Sequence, residues 1–425
     1  MLSKLFPGAH LKKEFIAGLT MFSTMVYAIV IIPMMLSEAG MDFSSVMMAT
    51  ILVTIFGTLL MGVVGNYPFA LGPGIGMCAY FAYSVVLGQN IPWQSALGAA
   101  FVSGVILFLL WLFKLRELII HAIPKGLKIG ATAGIGLFLV VIALKNVHIV
   151  VPHPQTLMTL GNLASFESIL SLFGVALIAA LMAWRVQAAM LIGVLVNWMI
   201  GLSLGLVQWK GLISWPQFHS ETFLQLNLRH ALGPDLWLVI FSFLFIAIFD
   251  TSGTIMGLAH HGQLLDKQGK LPRLRRVLFS DTLATPLGAI LGTCPSVVYL
   301  ESAAGIAAGG KTGLTSVIVA FLYFVSLFFI PLAASIPVFA ITPVLVVIGA
   351  LMLKAVSFLD WEDPSDFIPC FVTVIGIPLT YSIGIGIGLG ILLYPICKLF
   401  AGKYKQVHPV TWVLAALFAY RFFFF

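Results

Sequence analysis

The sequence predicts an all-α polytopic membrane protein with fourteen membrane-spanning segments, arranged as two inverted repeats of seven. Three observations support this fold class. Of the 425 residues, 60% are hydrophobic and only 9% are charged, and the mean hydropathy is +1.09. Apolar windows of about 20 residues, the length that crosses a bilayer as a helix, recur along the whole chain. The third window of each half is interrupted in its middle.

The apolar windows define the domain organisation. The first half, residues 14–207, contains segments 1 to 7, predicted at 14–36, 44–64, 68–86, 94–113, 124–144, 168–184 and 188–207. The second half, residues 234–400, contains segments 8 to 14, predicted at 234–258, 277–292, 295–309, 314–333, 337–353, 366–381 and 383–400. An odd number of segments per half inverts the second half relative to the first. Residues 408–425 are apolar but short for a span, and we expect an interfacial helix there, with a packing helix as the alternative.

The distribution of Lys and Arg predicts the orientation of these segments. With the N-terminus in the cytoplasm, nineteen of the 22 basic residues fall on the cytoplasmic side, and Lys145, Lys210 and Arg229 fall outside. Both termini are then cytoplasmic. The flanking pattern explains the net charge of +7, so the expected partner is the lipid bilayer and not nucleic acid.

Segments 3 and 10 are predicted to contain short extended stretches within the apolar region. In segment 3, glycines and a proline interrupt the apolar run at 72–76. In segment 10, Pro295 precedes the β-branched pair Val297 and Val298, and Glu301 then begins a short helix of Ala and Gly. Irregular backbone is tolerated in hydrocarbon only where it lines a polar cavity. Interrupted segments at matching places in two halves indicate the substrate site of a secondary transporter.

Two acidic residues inside apolar segments are the main candidates for this site. Glu301 lies at the break in segment 10, and Asp250 lies deep in segment 8. An unpaired charge there costs roughly 3 kcal/mol, so each acid either pairs or takes up a proton. Both are therefore candidates for substrate binding and for proton coupling, with a structural hydrogen-bonding role as the alternative. For Asp281, in segment 9, the structural role is equally expected.

Further candidates surround these acids. Phe69 and Tyr299 are expected to stack on the faces of a flat heterocycle, with plain core packing as the alternative for each. Thr24 is a candidate polar lining residue, with a hydrogen bond to its own helix as the alternative. Leu300, next to Tyr299, and Cys78, in the helical run of segment 3, complete the predicted substrate-binding set.

The sequence does not point to an enzyme or to a metal site. It contains no H-E-x-x-H motif. The four cysteines lie in apolar segments without metal-binding or redox spacing. We therefore expect no catalytic residue, no bound metal and no cofactor, and we expect a proton as the coupling ion.

The sequence resembles the AzgA-like purine permeases, adenine and guanine/hypoxanthine transporters of the nucleobase–cation symporter-2 type. The resemblance covers nearly the whole chain. It is carried by the runs P-F-A-L-G-P-G-I-G-M-C-A-Y-F-A (68–82), I-P-K-G-L-K-I-G-A-T-A-G-I-G-L-F (123–138), F-D-T-S-G-T (249–254), L-L-D-K-Q-G-K-L-P-R-L-R-R (264–276), Y-L-E-S-A-A-G-I-A-A-G-G-K-T-G-L (299–314) and I-P-L-T-Y-S-I (377–383).

The resemblance implies a fold like that of uracil and xanthine permeases, with a core domain of segments 1–4 and 8–11 and a gate domain of segments 5–7 and 12–14. Substrate then binds between segments 3 and 10, and the core slides against the gate like an elevator, with proton symport. Asp250 and Glu301 match the acids of the family, and Phe69 and Tyr299 match aromatic positions beside the base in related uracil carriers. Such proteins are often dimers through the gate domain, so the resemblance allows a homodimer here.

The sequence departs from the family where Cys78 replaces a usual Asn and where 295–298 lacks the usual Ser and Thr. These departures leave the particular purine open. We expect a proton-coupled importer of adenine, guanine or hypoxanthine in the bacterial inner membrane, working by elevator-type alternating access. The alternatives are a carrier of the same fold for a pyrimidine, xanthine or an anion, and a membrane receptor that does not transport.

Overall fold

The computed structural model of the protein describes residues 6–116, 119 and 123–424, except for the side chains of residues 421 and 424. Lys4, one of the basic residues used to predict the orientation, and Phe425, the end of the predicted C-terminal helix, lie outside the described residues. The described chain is mainly helical. Nine helical stretches in it are long and apolar enough to cross a membrane.

The first half follows the predicted order of segments. Segment 1 consists of two helices, α1 (Leu11–Met25) and α2 (Ala28–Glu38). The other helices are α3 (Phe43–Leu60), α4 (Ile75–Ala79), α5 (Trp93–Leu112), α6 (Lys125–Asn146), α7 (Phe166–Ala183) and α8 (Ala189–Ser203). Turns of π-helix extend α3 through Met61–Gly65 and α4 through Tyr80–Leu87. The strands are β1 (Leu71–Pro73) and a hairpin of β2 (Val150–His153) and β3 (Leu157–Leu160).

The second half contains the remaining elements. Its helices are α9 (Leu228–Ala231), α10 (Trp237–His261), α11 (Leu274–Leu291), α12 (Ser302–Ala307), α13 (Gly313–Ser326), α14 (Ile330–Ala333), α15 (Val338–Leu353), α16 (Pro364–Thr380), α17 (Ile383–Phe400) and α18 (Pro409–Phe424). Strand β4 is Ser296–Val298. Short 3-10 turns lie at Pro234–Leu236, Leu327–Phe329, Lys354–Phe358 and Tyr404–Gln406.

Short polar residues set the start of several helices. The Asp42 carboxylate accepts a hydrogen bond from a backbone N–H in the first turn of α3 at 2.7 Å. Ser165, Asp363 and Ser382 cap α7, α16 and α17 in the same way. These caps satisfy backbone donors that the start of a helix leaves unpaired. Helix α11 ends at Gly292, whose φ of 91° is a conformation that glycine adopts without strain.

The helices pack in two groups. In the first group, α13 packs against α1 and α3, and α11 packs against α3 and α5. In the second group, α6 packs against α15, α16 and α17, and α7 and α8 pack against α15. The groups meet where α10 packs against α6 and α17.

Segment 1 is interrupted in the structure, which the sequence does not predict. A turn at Val26 and Tyr27 separates α1 from α2. Within this turn the N–H of Ile29 donates to the Val26 carbonyl at 3.1 Å. The Met25 carbonyl instead accepts a hydrogen bond from the Tyr323 hydroxyl at 3.0 Å. A side chain on α13 therefore satisfies a backbone group that the break leaves without its usual helical partner.

The C-terminal helix α18 packs lengthwise along α17. A Cβ atom at Gly388 would lie 2.5 Å from the Phe418 side chain and 3.0 Å from that of Phe422, so both rings pack on the α17 backbone. The rings of Phe418 and Phe245, the latter on α10, have centroids 5.9 Å apart. Gly388 lies about 18 Å from the C-terminal end of α17 at 1.5 Å per residue. The C-terminal helix thus packs against another helix, and an interfacial location of residues 408–425 stays a prediction.

Candidate substrate site at the broken segments

The two broken segments form a small antiparallel sheet. β1 of segment 3 pairs with β4 of segment 10, with Leu71 opposite Val298. The pairing continues past the strands, since the N–H of Tyr299 donates to the Ala70 carbonyl at 2.9 Å. Extended chain is thus present at both places where the sequence predicts it, and each stretch completes the hydrogen bonding of the other.

Hydroxyl groups satisfy the backbone at the edges of this sheet. The Thr58 hydroxyl lies 2.8 Å from the Leu71 carbonyl, and the Ser302 hydroxyl accepts from the Ala70 N–H at 3.0 Å. Ser316 lies 2.8 Å from each of two carbonyl oxygens in the chain before β1. Polar side chains from three other elements therefore hold the irregular backbone in a buried position.

Gly72 allows Tyr299 to approach β1 closely. A Cβ atom at Gly72 would lie 2.8 Å from the Thr54 hydroxyl oxygen and 3.0 Å from that of Tyr299. The Tyr299 hydroxyl donates to the Pro73 carbonyl at 2.7 Å. A side chain at Gly72 would displace this phenol, which explains why glycine suits this strand position.

Glu301 stands where β4 gives way to α12, and it is half-buried. The hydroxyl of Tyr27, from the turn that breaks segment 1, donates a hydrogen bond to its carboxylate. The phenols of Tyr299 and Tyr323 are close enough to interact electrostatically with the same carboxylate. Tyr27 therefore contacts the Glu301 carboxylate directly.

Tyr27 is a site residue that the sequence analysis does not select. The available signal is a phenol hydroxyl within an otherwise apolar segment, where such a group needs a hydrogen-bond partner. That signal does not name the partner. The partner becomes visible only when segment 1 is packed against segment 10.

Asp250, the second predicted acid, is half-buried on α10 and lies within electrostatic reach of Glu301 and Asp281. Asp281 is fully buried on α11 and forms an ion pair with Arg116. The hydroxyl of Thr251, next to Asp250, lies 3.3 Å from both carboxylate oxygens of Asp281. Asp281 thus has a structural partner, and it connects α11 to α10 and to the chain after α5.

Arg116 has a different role from the one its position in the sequence suggests. Its place at the end of segment 4 favours a solvated topology signal. In the structure it is fully buried, and its guanidinium donates to the Asp281 carboxylate and to the Leu278 carbonyl, the latter at 3.3 Å.

The predicted residues nearest to Glu301 differ in exposure. Leu300 is 39% exposed and directly precedes Glu301 in the chain. Phe69 is fully buried, and its ring stacks on that of Tyr67 with centroids 5.2 Å apart. In this conformation Tyr299 adjoins Glu301. Phe69 packs in the interior, which is the core-packing role given as its alternative.

Thr24 and Cys78 lie in buried positions. The Thr24 hydroxyl donates to the Met21 carbonyl of its own helix at 2.8 Å, which is the alternative named for it above. Cys78 is fully buried on α4, and its thiol interacts with that of Cys294, just before β4. The two thiols thus meet across the broken segments.

The helices that hold the two acids become more exposed toward one end. Along α10, exposure rises from the half-buried Asp250 to the exposed Met256 and Gly257. Along α12, it rises from the half-buried Glu301 to the exposed Ala307. Both helices run toward the face that the sequence predicts to be cytoplasmic.

This arrangement can bind a small polar solute and exchange a proton with it. Ionised carboxylates accept hydrogen bonds from N–H groups, and in an apolar setting they also take up protons. Among the described residues, no group of three or more His, Cys, Asp or Glu could hold a metal ion.

One stretch of the chain matches the phosphate-binding pattern G-x-x-x-x-G-K-[ST] letter by letter, at 305–312. Its structure is not that of a phosphate loop. Gly305 lies inside α12, and the N–H and hydroxyl groups of Thr312 donate to the Glu14 carboxylate at 3.1 and 3.0 Å. A carboxylate of the protein itself already occupies the start of α13, so this match does not indicate a nucleotide site.

Many apolar helices, with two paired broken segments and two half-buried acids among them, are the features of a membrane permease. Residues 12–391 match the Xan_ur_permease family, which is described as a permease family. The chain therefore belongs to this family of multi-pass membrane proteins, and it is a permease and not an enzyme.

Relatives match almost the whole chain. A protein of Methanocaldococcus jannaschii named as a permease is 46% identical over 416 residues, covering 98% of this chain and 95% of that protein. The guanine/hypoxanthine permease PbuO of Bacillus subtilis is 42% identical, with 97% of each chain covered. The adenine permease AdeP of Escherichia coli is 36% identical, covering 98% of this chain and 95% of that protein.

A solved structure shares the fold. The transmembrane domain of the cyanobacterial bicarbonate transporter BicA superimposes with a TM-score of 0.66. The match covers 89% of this chain and 98% of that domain, at 15% sequence identity. At this identity the similarity shows the fold alone.

Proposed function

We propose that the protein is a proton-coupled importer of a purine nucleobase, namely adenine, guanine or hypoxanthine. The names of PbuO and AdeP support this substrate class. The observation that carries the proposal is the pair of half-buried carboxyl groups, Glu301 and Asp250, beside the paired broken segments. A purine base presents ring and exocyclic N–H groups, and carboxylates are acceptors for them.

The proposal includes fourteen segments in two inverted repeats, 14–207 and 234–400. The antiparallel pairing of β1 with β4 supports this arrangement, because the third segments of the two repeats then meet with opposite chain directions. The excess of basic residues on one side supports cytoplasmic termini and insertion in the bacterial inner membrane.

Segments 1–4 and 8–11 form the moving core in this proposal, and segments 5–7 and 12–14 form the gate. The two packing groups support the division, with α1, α3, α11 and α13 in one and α6, α7, α15, α16 and α17 in the other. An elevator mechanism carries the first group, with its substrate, along the second. In this proposal the protein forms a homodimer through the gate domain, which keeps the gate fixed while the core moves.

Contacts at the end of the helices that is predicted to face outside support an inward-facing state. The Asn146 amide at the end of α6 donates to the Glu38 carboxylate at 3.2 Å. It also lies 3.4 Å from the Tyr83 hydroxyl. These hydrogen bonds join segments 1 and 3 to segment 5, so outward opening has to break them.

Proton coupling follows from the charge of the site. An ionised carboxyl group opposes movement of the core through the apolar part of the membrane, whereas a protonated one does not. Glu301 accepts the N–H groups of the base and takes up the proton, and Asp250 accepts a second N–H. Import is concentrative when the form that holds both the base and the proton crosses more readily than the form that holds the base alone, so that each base carried inward brings a proton with it. No resident cofactor takes part in this scheme.

The alternative is a carrier of the same fold for another solute. A protein with this fold is named as a bicarbonate transporter, so an anion is one such solute, and a pyrimidine or xanthine is another. The two carboxyl groups favour a neutral base over an anion, because like charges repel. A membrane receptor would bind the base without moving it.

Uptake by proteoliposomes under an imposed proton gradient tests the proposal. We expect accumulation of labelled adenine, guanine or hypoxanthine, and weaker competition by uracil, xanthine and bicarbonate. Glu301→Gln should abolish accumulation, while Glu362→Gln, an exposed acid on a loop, should not. Accumulation by Glu301→Gln at the wild-type level would refute the role of Glu301, and binding without flux would favour the receptor.

A further inference from the structure

A cavity lies at the face predicted to be cytoplasmic, and the two acids are not among the residues that line it. Its volume is about 530 Å³, and it lies between the start of α6, the second half of α17 and the chain that leads into α18. The polar side chains that line it include Lys125 and Lys128 on α6, Tyr394 on α17, and Lys405 and His408 on the connecting chain.

The wall of this cavity is basic. Three lysines and a histidine meet there from two distant parts of the chain, and no Asp or Glu is among the described residues that line it. Like charges repel at short range, so their convergence does not stabilise the fold by itself. A concave surface lined by cations attracts an anion.

The carboxylate groups nearby are already paired. Lys398 and Lys403 both bind Asp363, at 3.1 and 2.8 Å, and Lys403 holds the pKa of that carboxyl well below its usual range. Of the ion pairs in the described ranges, none involves Lys125 or Lys405. These two ammonium groups therefore face the cavity without a carboxylate of the described chain to neutralise them.

The start of α6 adds positive charge to the same place. Its N-cap is Pro124, whose side chain accepts no hydrogen bond, and its first turn contains Lys125 and Lys128 and no acid. Helix starts normally favour acidic residues, because the unpaired N–H groups give them a partial positive charge. Here a 22-residue helix directs that charge at a cavity already lined by lysines.

We propose that this cavity binds the phosphate group of an anionic ligand. Lysine ammonium groups and free backbone N–H groups are the donors that phosphate accepts. Basic pockets between membrane helices on the cytoplasmic side bind lipid headgroups by this chemistry, and a free phosphate compound offers the same group. The volume lies within the roughly 300–1,000 Å³ of small-molecule sites. A ligand here would connect α6 to the chain before α18 and so restrain the C-terminal helix.

Binding to the purified full-length protein in neutral detergent tests this proposal. One arm adds phosphatidylglycerol or phosphatidylcholine in mixed micelles, and the other adds inorganic phosphate or AMP at constant ionic strength. Native mass spectrometry counts the retained ligand, and thermal unfolding reports the stabilisation that binding produces. The cavity variant is Lys125→Gln/Lys128→Gln/Lys405→Gln.

The control variant removes the same number of charges from exposed lysines elsewhere on the predicted cytoplasmic face, Lys267→Gln/Lys270→Gln/Lys354→Gln. We expect wild type and control to retain a phosphate ligand, and the cavity variant to bind it on the order of 100-fold more weakly, about fivefold per lysine. Retention of phosphatidylglycerol alone assigns the site to lipid, and saturable binding of phosphate or AMP assigns it to a soluble ligand. Equal losses in both variants, equal retention of phosphatidylcholine, or no binding in either arm would overturn the proposal.

Discussion

Replacing Tyr27 by Phe removes one hydroxyl group and keeps the ring, so it tests the assignment of the site directly. The lost hydroxyl donates to the Glu301 carboxylate from the turn that breaks segment 1. A hydrogen bond to a charged group contributes about 1.5–3 kcal/mol to the state that contains it. Because Glu301 is half-buried, water replaces part of this bond and the lower value applies. At about 1.4 kcal/mol per factor of ten, the loss corresponds to roughly tenfold weaker substrate binding.

The assay is uptake of labelled adenine or hypoxanthine by proteoliposomes, together with equilibrium binding in detergent. We expect both KM and Kd of Tyr27→Phe to rise about tenfold, because the carboxyl group is no longer held in position. Tyr67→Phe is the matched control, since its hydroxyl donates to the Pro272 carbonyl and not to a carboxylate. The control should lose stability and keep KM within about twofold. A wild-type KM in Tyr27→Phe, or an equal rise in both variants, would refute Tyr27 as the residue that positions Glu301.

Two further predictions concern the fold around the site. Gly72→Ala places a methyl group 2.8 Å from the Thr54 hydroxyl and should lower the melting temperature by roughly 3–8 °C. Gly257→Ala, where no atom lies within 4 Å, should leave the melting temperature unchanged, and identical curves for the two variants would contradict the packing described. Arg116→Gln leaves the buried carboxylate of Asp281 unpaired and should cost about 3–5 kcal/mol in chemical unfolding. Adding Asp281→Asn should restore part of that loss, and no restoration would show that the ion pair is not its cause.

The two interruptions at the site are predictable from sequence because their causes are local. Gly72 and Pro73 disfavour a helix in segment 3, and Pro295 before a β-branched pair does the same in segment 10. That Glu301 has a polar partner follows from similar reasoning, since an acid in an apolar segment needs polar surroundings. A few neighbouring residues are enough for each of these predictions.

Tyr27 and Arg116 show what such local patterns leave out. Segment 1 reads as continuous apolar helix, and the residues at 26 and 27 are not helix breakers, so the break depends on contacts with segments 10 and 11. Arg116 lies at the end of an apolar segment, where basic residues usually mark the cytoplasmic flank. Its partner Asp281 is 165 residues away along the chain. Contacts at that separation follow from tertiary packing, which the periodicity of a single sequence does not encode.

The backbone ladder between β1 and β4 limits the ways in which this permease can move. Separating β1 from β4 would leave peptide N–H and C=O groups without hydrogen-bond partners in apolar surroundings, at a cost of several kcal/mol each. The two halves of the polypeptide are therefore joined by hydrogen bonds at the broken segments, which disfavours a hinge that opens between β1 and β4. In the mechanism proposed above, both sides of the substrate site then move together. The sliding surface of that mechanism lies where α10 packs against α6 and α17.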